Sequence, residues 1–498
     1  MPLPQPPKRR YRKPFDQLSR AQKHARKKEA IQLLAQLGVP LHALGLTTRA
    51  PAIHALRLTG AQRLRMRRSG TGAQLVGEKE LTRLRLSLAT THGTGTSTFT
   101  TPDGIIGSYV TDPLVFFEAV AGKEPQLLLV GGDYGGGALK LGVTYLDSQP
   151  KPRHTFAALL VCTGSDDYAS LLSLHNSSLF NFTGNTAAIF SLLPTPPTIF
   201  TVLQHLLCRP NAYLNGDWAF LNAILGLKTA SAHFPCPICT VHKSDLQPDP
   251  TKIYEPPELK PRLRRISDPV GDYSKHHESL VTVASEQIVP IPLHLFLGLG
   301  NKIIRRSYHW CLGEQLVRDA MRSVKSAHKH GSGGVAAVHD LNGPELAQWV
   351  KQRRAAWCLE RTARGSFFTA DVPLMDTWIA GLHAHLLHRG DWDDKRQADF
   401  AEFVDGIQRC WVTCTGLRVP PKVHMLTHAV EFAKKHGALG RFSEAHVESY
   451  HASTNSTSNQ SHQNQGGHIE PRMRRTHSDL LVRAVSHSTQ PAPTLFNF

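Results

Sequence analysis

Apolar positions recur along this chain in two rhythms. In the first half they form short runs: Leu127 to Val130, Leu139 to Leu146 and Phe156 to Cys162. Runs of this length, bounded by turn residues, fit buried strands and are too short for buried helices. The first run leads into Gly131-Gly-Asp133-Tyr-Gly-Gly-Gly137, so the pattern predicts a meander of three strands that carries a carboxylate. A fourth strand is predicted at Ala212-Tyr-Leu-Asn-Gly-Asp217, followed at once by an apolar helix from Trp218 to Leu227. Helical spacing also predicts elements at 112–122, from Asp166-Asp167 to about Leu174, and at 198–208.

From Ile291 to about Phe432 the rhythm turns helical, through Leu293 to Leu299, Leu346 to Leu359, Leu374 to His388 and Gln397 to Val412. An all-helical block between strand-like regions reads as a domain inserted into the first fold. Residues 69–105 are rich in Gly, Thr and Ser and read as a linker; 244–290 are polar and proline-rich and read as a surface excursion. The expected organisation is therefore a basic head (1–70), a linker with a short helix (71–125), the first part of an α/β core (126–243), a helical insertion (244–432), a returning core helix (433–455) and a polar and basic tail (456–498).

Charge sharpens this picture. The 498 residues carry a net +18, and residues 1–70 hold 16 Lys and Arg against 2 Asp and Glu, which leaves only +4 for the rest. A basic head on a nearly neutral body points to a polyanion, most simply nucleic acid. Lys8, Arg9, Arg10, Arg12 and Lys13 form a basic cluster that would also serve as a nuclear localisation signal in a eukaryotic host. Arg20, Lys23, Arg26, Lys27 and Lys28 largely share one face of a helix, and Arg65, Arg67 and Arg68 end a later one. No apolar stretch reaches the length of a membrane span. The eight cysteines do not form a disulfide framework, and most stand alone in apolar surroundings, which fits a reducing compartment.

Four places carry candidate chemistry. Asp133 and Asp217 each close an apolar strand on a Gly-Asp pair. A turn connector for Asp133 and a helix N-cap for Asp217 are the plain structural readings beside a catalytic one. Cys236-Pro-Ile-Cys239 has the knuckle spacing that tetrahedral zinc favours, with further ligands to come from His242, His233 or the His276-His277 pair. His424 and His428 stand four apart on a helix pattern, a second zinc candidate, although Met425 stands where a metalloprotease would carry glutamate. Glu444, Glu448 and His451 share one helical face.

In this order the motifs resemble the DDE/D transposases of eukaryotic cut-and-paste DNA transposons. They are Lys13-Pro-Phe-Asp-Gln-Leu-Ser19, Gly132-Asp-Tyr-Gly-Gly-Gly137 with Lys140, Gly216-Asp-Trp-Ala-Phe-Leu221, Phe234-Pro-Cys-Pro-Ile-Cys239, and Lys422-Val-His-Met-Leu426 running on to Glu448. The resemblance implies a ribonuclease-H-like mixed sheet with a helical insertion. It implies that Asp133, Asp217 and Glu448 (with Glu444 as the fallback) hold Mg²⁺ or Mn²⁺ for DNA cutting and joining. It further implies double-stranded transposon ends and target as partners, a homodimer or higher oligomer, and one structural Zn²⁺ at Cys236, Cys239 and His242. The family often carries Cys/Asp-x2-His after the second acid; here Cys236-x2-Cys239 stands in its place. The rival expectations are a non-cleaving DNA-binding protein derived from a transposase, and a zinc-dependent hydrolase using His424 and His428.

Overall fold

A computed structural model of the chain describes residues 94–121, 127–135, 137–146, 156–246, 261–304, 346, 371–390, 392–415, 418–443, 477 and 481. The basic residues of the head, from Lys8 to Arg68, and Glu444, Glu448 and His451 lie outside the described residues.

Six strands build one mixed sheet: β1 (Thr96–Thr100), β2 (Ile106–Val110), β3 (Leu127–Gly135), β4 (Ala138–Leu146), β5 (Phe156–Cys162) and β6 (Ala212–Gly216), in the order β1-β2-β5-β4-β3-β6. The expected meander is β3-β4-β5, antiparallel throughout, and β6 joins it parallel to β3. Unbroken apolar runs form β3 and β5 because both are covered on their two faces; every residue of β5 is buried. The hairpin between β3 and β4 turns on Gly137, whose φ of +78° suits glycine. Lys140 lies opposite Asp133 in this hairpin. It is wholly buried and donates from Nζ to the carbonyls of Gly135 and Ala138, tying the turn down.

The linker expected across 69–105 is a strand over part of its length. Thr96–Thr100 pairs with β2, and the whole hairpin extends the sheet through β5. Threonine is polar enough to read as loop, yet its β-branch suits a strand. Phe99 provides the apolar anchor, with its ring 5.3 Å from that of Phe180 and 6.2 Å from that of Tyr109.

Helices α1 (Pro113–Ala121), α2 (Tyr168–His175), α3 (Gly184–Phe190), α4 (Ile199–Leu207) and α5 (Trp218–Ile224) follow the strands. α4 and α5 pack on β3 and β6, and α1 on β5. Beyond them come α6 (292–304), then α7 (Asp371–Leu386), α8 (Asp394–Thr415) and α9 (Pro421–His436). Buried side chains from 280–304 and 378–442 belong to the same contiguous apolar core as the sheet. Among the described residues, the helical block thus has no separate core. The excursion expected at 244–290 is corrected over 280–289: Leu280, Val281, Val283, Ile288 and Val289 are buried, and the Val289 N–H donates to the Leu214 carbonyl at 2.9 Å. Single apolar anchors among prolines and charges carry no periodicity, which is why this stretch reads as surface. Among the described residues, no helix is long and apolar enough to cross a membrane.

Two features of the sheet have measurable consequences. At Gly131 the β3–β6 pair is so close that a Cβ would stand 1.6 Å from the Asn215 carbonyl oxygen. Gly131→Ala must push β6 off β3, and a loss of about 3 kcal/mol or more is expected in chemical denaturation. The second is His477, fully buried against the sheet: Nε2 donates to the Ala158 carbonyl at 2.8 Å, and Nδ1 accepts from the Ser108 hydroxyl at 3.1 Å. Burial pushes its pKa down to about 4. The unfolded chain takes up the proton first, so this stability is complete above the ordinary imidazole pKa of about 6.5 and is lost as pH falls towards 4. Urea denaturation at pH 7 and pH 4.5 should differ by up to about 3 kcal/mol from this residue, and His477→Gln should remove that part of the slope.

Candidate functional site

Asp133 and Asp217 come together through register. β3 and β6 run parallel with Gly132 opposite Gly216, so each aspartate follows a paired glycine at the same end of neighbouring strands. Adjacent strands lie about 4.8 Å apart. The glycines are required by packing, since a Cβ on Gly132 would strike the Leu141 side chain and the Lys140 carbonyl, and one on Gly216 the Phe220 ring of α5. Asp133 is 6% exposed. Asp217 starts α5 as its N-cap, accepting from the Phe220 N–H at 2.7 Å, so the cap reading of this residue holds alongside any other role.

A third acid joins them. β5 runs parallel to β3 by virtue of the intervening β4, so it ends at the same edge, and Asp166 follows four residues later. Burial raises the pKa of Asp166, and the charges of Asp133 and Asp167 add to this. Burial also pushes Asp217 up, to about 6; the Phe220 N–H and His294 oppose this, while Asp133 and Asp166 reinforce it. The charge of Asp133 on Asp166 and on Asp217, and that of Asp166 on Asp217, mark the three as one electrostatic cluster. Asp167 is set apart by its hydrogen bonds: it caps α2, accepting from the Ser170 N–H at 2.7 Å. Three carboxylates pressed together in a partly buried edge are unfavourable alone and become favourable around a hard divalent cation.

The returning chain approaches the same edge. Tyr213 on β6 packs edge-on against Phe432 and Phe442, and its hydroxyl lies 3.0 Å from His436 Nδ1. Asn215, two residues before Asp217, donates from Nδ2 to the Phe442 carbonyl at 3.3 Å.

A second centre lies at the Cys-Pro-Ile-Cys knuckle. Cys236, Cys239, His424 and His428 offer four donor atoms, all within 4.8 Å of one another. Both thiols are fully buried. α9 presents the two imidazoles: it opens on Pro421 at its first turn, where proline lacks no needed donor, and its spacing sets His424 and His428 on one face. His424 Nε2 stands 3.1 Å from Cys239 Sγ, and the two imidazole rings meet edge to face at 5.0 Å. His428 Nε2 is buried with no hydrogen-bond partner, which fits a nitrogen meant for a metal. Arg264 braces the knuckle, donating to the carbonyls of Cys236 (2.7 Å), Phe234 (3.0 Å) and Tyr273 (2.8 Å). Burial raises Cys236, but Cys239, His428 and His424 together hold its thiol well below the ordinary range.

This set corrects the expected ligands. His242 is not among the four: its Nδ1 pairs with Ser244 Oγ at 2.6 Å, and its ring stacks on His233 at 5.6 Å. His276 and His277 lie elsewhere too, with His277 stacked on Tyr168 at 4.0 Å. No protein-family model matches the chain, and no curated protein is significantly similar to it, so the chemistry rests on these residues alone.

Proposed function

We propose that the chain is a DNA transposase that cuts and joins transposon ends by metal-dependent phosphoryl transfer. The observation that carries this reading is the register-matched pair Asp133 and Asp217, each following a paired glycine on adjacent parallel strands, with the charge of Asp133 raising the cost of ionising Asp217. The strand order β5-β4-β3-β6, an antiparallel meander with a parallel strand beside its first member, supports a ribonuclease-H-like core. In that core Asp217 belongs at the strand-to-helix junction. Glu448 completes the acid set, and the hydrogen bond from Asn215 to the Phe442 carbonyl holds residue 442 beside the strand that leads to Asp217.

Asp133, Asp217 and Glu448 would hold Mg²⁺ or Mn²⁺, which supplies activation of the attacking hydroxyl and neutralises charge at the departing oxygen. The chain's own contribution is positioning. The β3–β6 register fixes the spacing of Asp133 and Asp217, and capping by the Phe220 N–H locks the Asp217 rotamer. The basic head, with Lys8, Arg9, Arg10, Arg12, Lys13 and the basic residues from Arg20 to Lys28, binds double-stranded DNA and directs the protein to the nucleus, and a homodimer holds two ends. Cys236, Cys239, His424 and His428 form a structural zinc site. Four protein donors leave no open coordination position, which argues against a hydrolase built on His424 and His428.

The test is Mg²⁺- or Mn²⁺-dependent nicking and strand transfer by the full chain on DNA carrying the element's ends. DNA binding without any cutting would overturn the reading and favour a non-cleaving DNA-binding protein.

A further inference from the structure

A cavity of about 1000 Å³ opens beside the acid cluster, and Asp166 belongs to both. Its wall is mainly apolar and aromatic, a composition suited to the flat face of a ring. Trp218 and Asn222 reach it from one face of α5, one helical turn apart, and the stacked pair Tyr168 and His277 line it as well. Lys228, Lys302 and Lys422 lie on the same lining.

Asn222 is the unusual member. It is 3% exposed, yet neither its side-chain oxygen nor its nitrogen has a hydrogen-bond partner. The Trp218 indole N–H is likewise buried and unpartnered. Leaving a buried amide unpaired costs about 1–3 kcal/mol per group, so such a residue on a cavity wall points to a ligand edge that offers a donor and an acceptor together. Nucleobases have such edges, and asparagine pairs with adenine in this bidentate manner.

We propose that this cavity receives an unpaired nucleotide of the DNA strand beside the scissile phosphate. The base stacks among Trp218, Tyr168 and His277, the Asn222 amide reads its edge, and the lysines face the flanking phosphates. The inference rests on the phosphoryl-transfer reading above, because adjacency to Asp166 is what makes the ligand a piece of the cleaved strand. It adds that the substrate is locally unpaired and that adenine is preferred.

The experiment compares the full chain binding two labelled duplexes by fluorescence anisotropy, without divalent metal: one carries a single unpaired adenine, the other an abasic site at that position. Wild type should prefer the adenine duplex by about tenfold, on the scale of one stacked and hydrogen-bonded base. Asn222→Leu should reduce that ratio to near one while leaving affinity for the abasic duplex unchanged. Equal binding of the two duplexes by wild type, or an unchanged ratio in Asn222→Leu, overturns the proposal. Should Asn222→Leu fail to fold, ultraviolet cross-linking of wild type to the adenine duplex with 5-iodouracil beside the bulge decides: adducts at Trp218 or Tyr168 support the pocket, and adducts only outside the cavity overturn it. Carboxylate-dependent cutting with no adenine preference removes the pocket and leaves the transposase reading standing. Adenine preference without cutting keeps the pocket and removes that reading.

Discussion

Asp133→Asn and Asp217→Asn should each lower metal-dependent DNA cutting by roughly 10³-fold or more, the size expected when a group acting mainly in the transition state is lost. DNA binding through the basic head should persist. Asparagine makes the test discriminating because it is nearly isosteric with aspartate and serves equally well as an N-cap. If Asp217 were only the cap of α5, accepting from the Phe220 N–H, Asp217→Asn would leave any cutting unchanged. A metal-holding role predicts opposite signs for activity and stability. Cutting collapses, while the metal-free protein gains about 1 kcal/mol at neutral pH, because a half-buried carboxylate facing Asp133 and Asp166 is removed. Asp166→Asn tests whether the third acid belongs to the same centre; a loss of about tenfold or more in cutting, with DNA binding intact, is expected. Nicking assays on supercoiled DNA, with urea denaturation in the absence of metal, read both quantities. Retained cutting in Asp217→Asn would sink the carboxylate reading.

What could be read from the chain follows from where each signal lives. Asp133 and Asp217 stand out because an apolar run that ends on Gly-Asp is local, and β5 and β6 follow their apolar runs almost residue for residue. Their adjacency is not local. It depends on the parallel pairing of Gly132 with Gly216, which no nearby residue encodes. Asp166 passes for a helix-start residue because its neighbour Asp167 is the cap of α2; only the parallel course of β5 and β3 brings it to the acid edge. β1 goes unseen for a different reason, since a Thr-rich edge strand has the composition of a loop and reveals itself only through Phe99. The cysteine–histidine centre is the clearest case. Cys236-x2-Cys239 and His424-x3-His428 are each visible as half a site, but spacing along the chain cannot say that the halves meet. Nearby histidines such as His242 therefore look like better partners than they are.

The closure of that centre carries the largest stability effect expected. Removing zinc with a strong chelator, or Cys239→Ser, should lower stability by about 3–5 kcal/mol, and purified protein should contain one zinc per chain by elemental analysis. The magnitude follows from what the four donors join. The knuckle follows α5 in the chain, whereas His424 and His428 sit on α9, and Cys239 and His424 are 185 residues apart. A metal bond across such a loop removes much of the unfolded chain's freedom, and structural zinc in small domains contributes about 10–16 kcal/mol of apparent binding energy. Here the surrounding core already holds much of the structure, because Val423, Met425, Leu426, Ala429 and Val430 are buried on the same helix. Only part of the metal's binding energy therefore shows as stability. Without the metal, two buried thiols and the orphaned His428 nitrogen remain in the seam, and α9 with the Phe442 segment should loosen from β6. If zinc only holds the scaffold, as proposed, cutting should then fail at the same denaturant concentration at which tertiary structure is lost. His242→Ala is the control, expected to change neither zinc content nor stability by more than about 0.5 kcal/mol. Metal-free protein that melts with the holoprotein, or zinc that departs on His242→Ala, would reject the Cys236-Cys239-His424-His428 assignment.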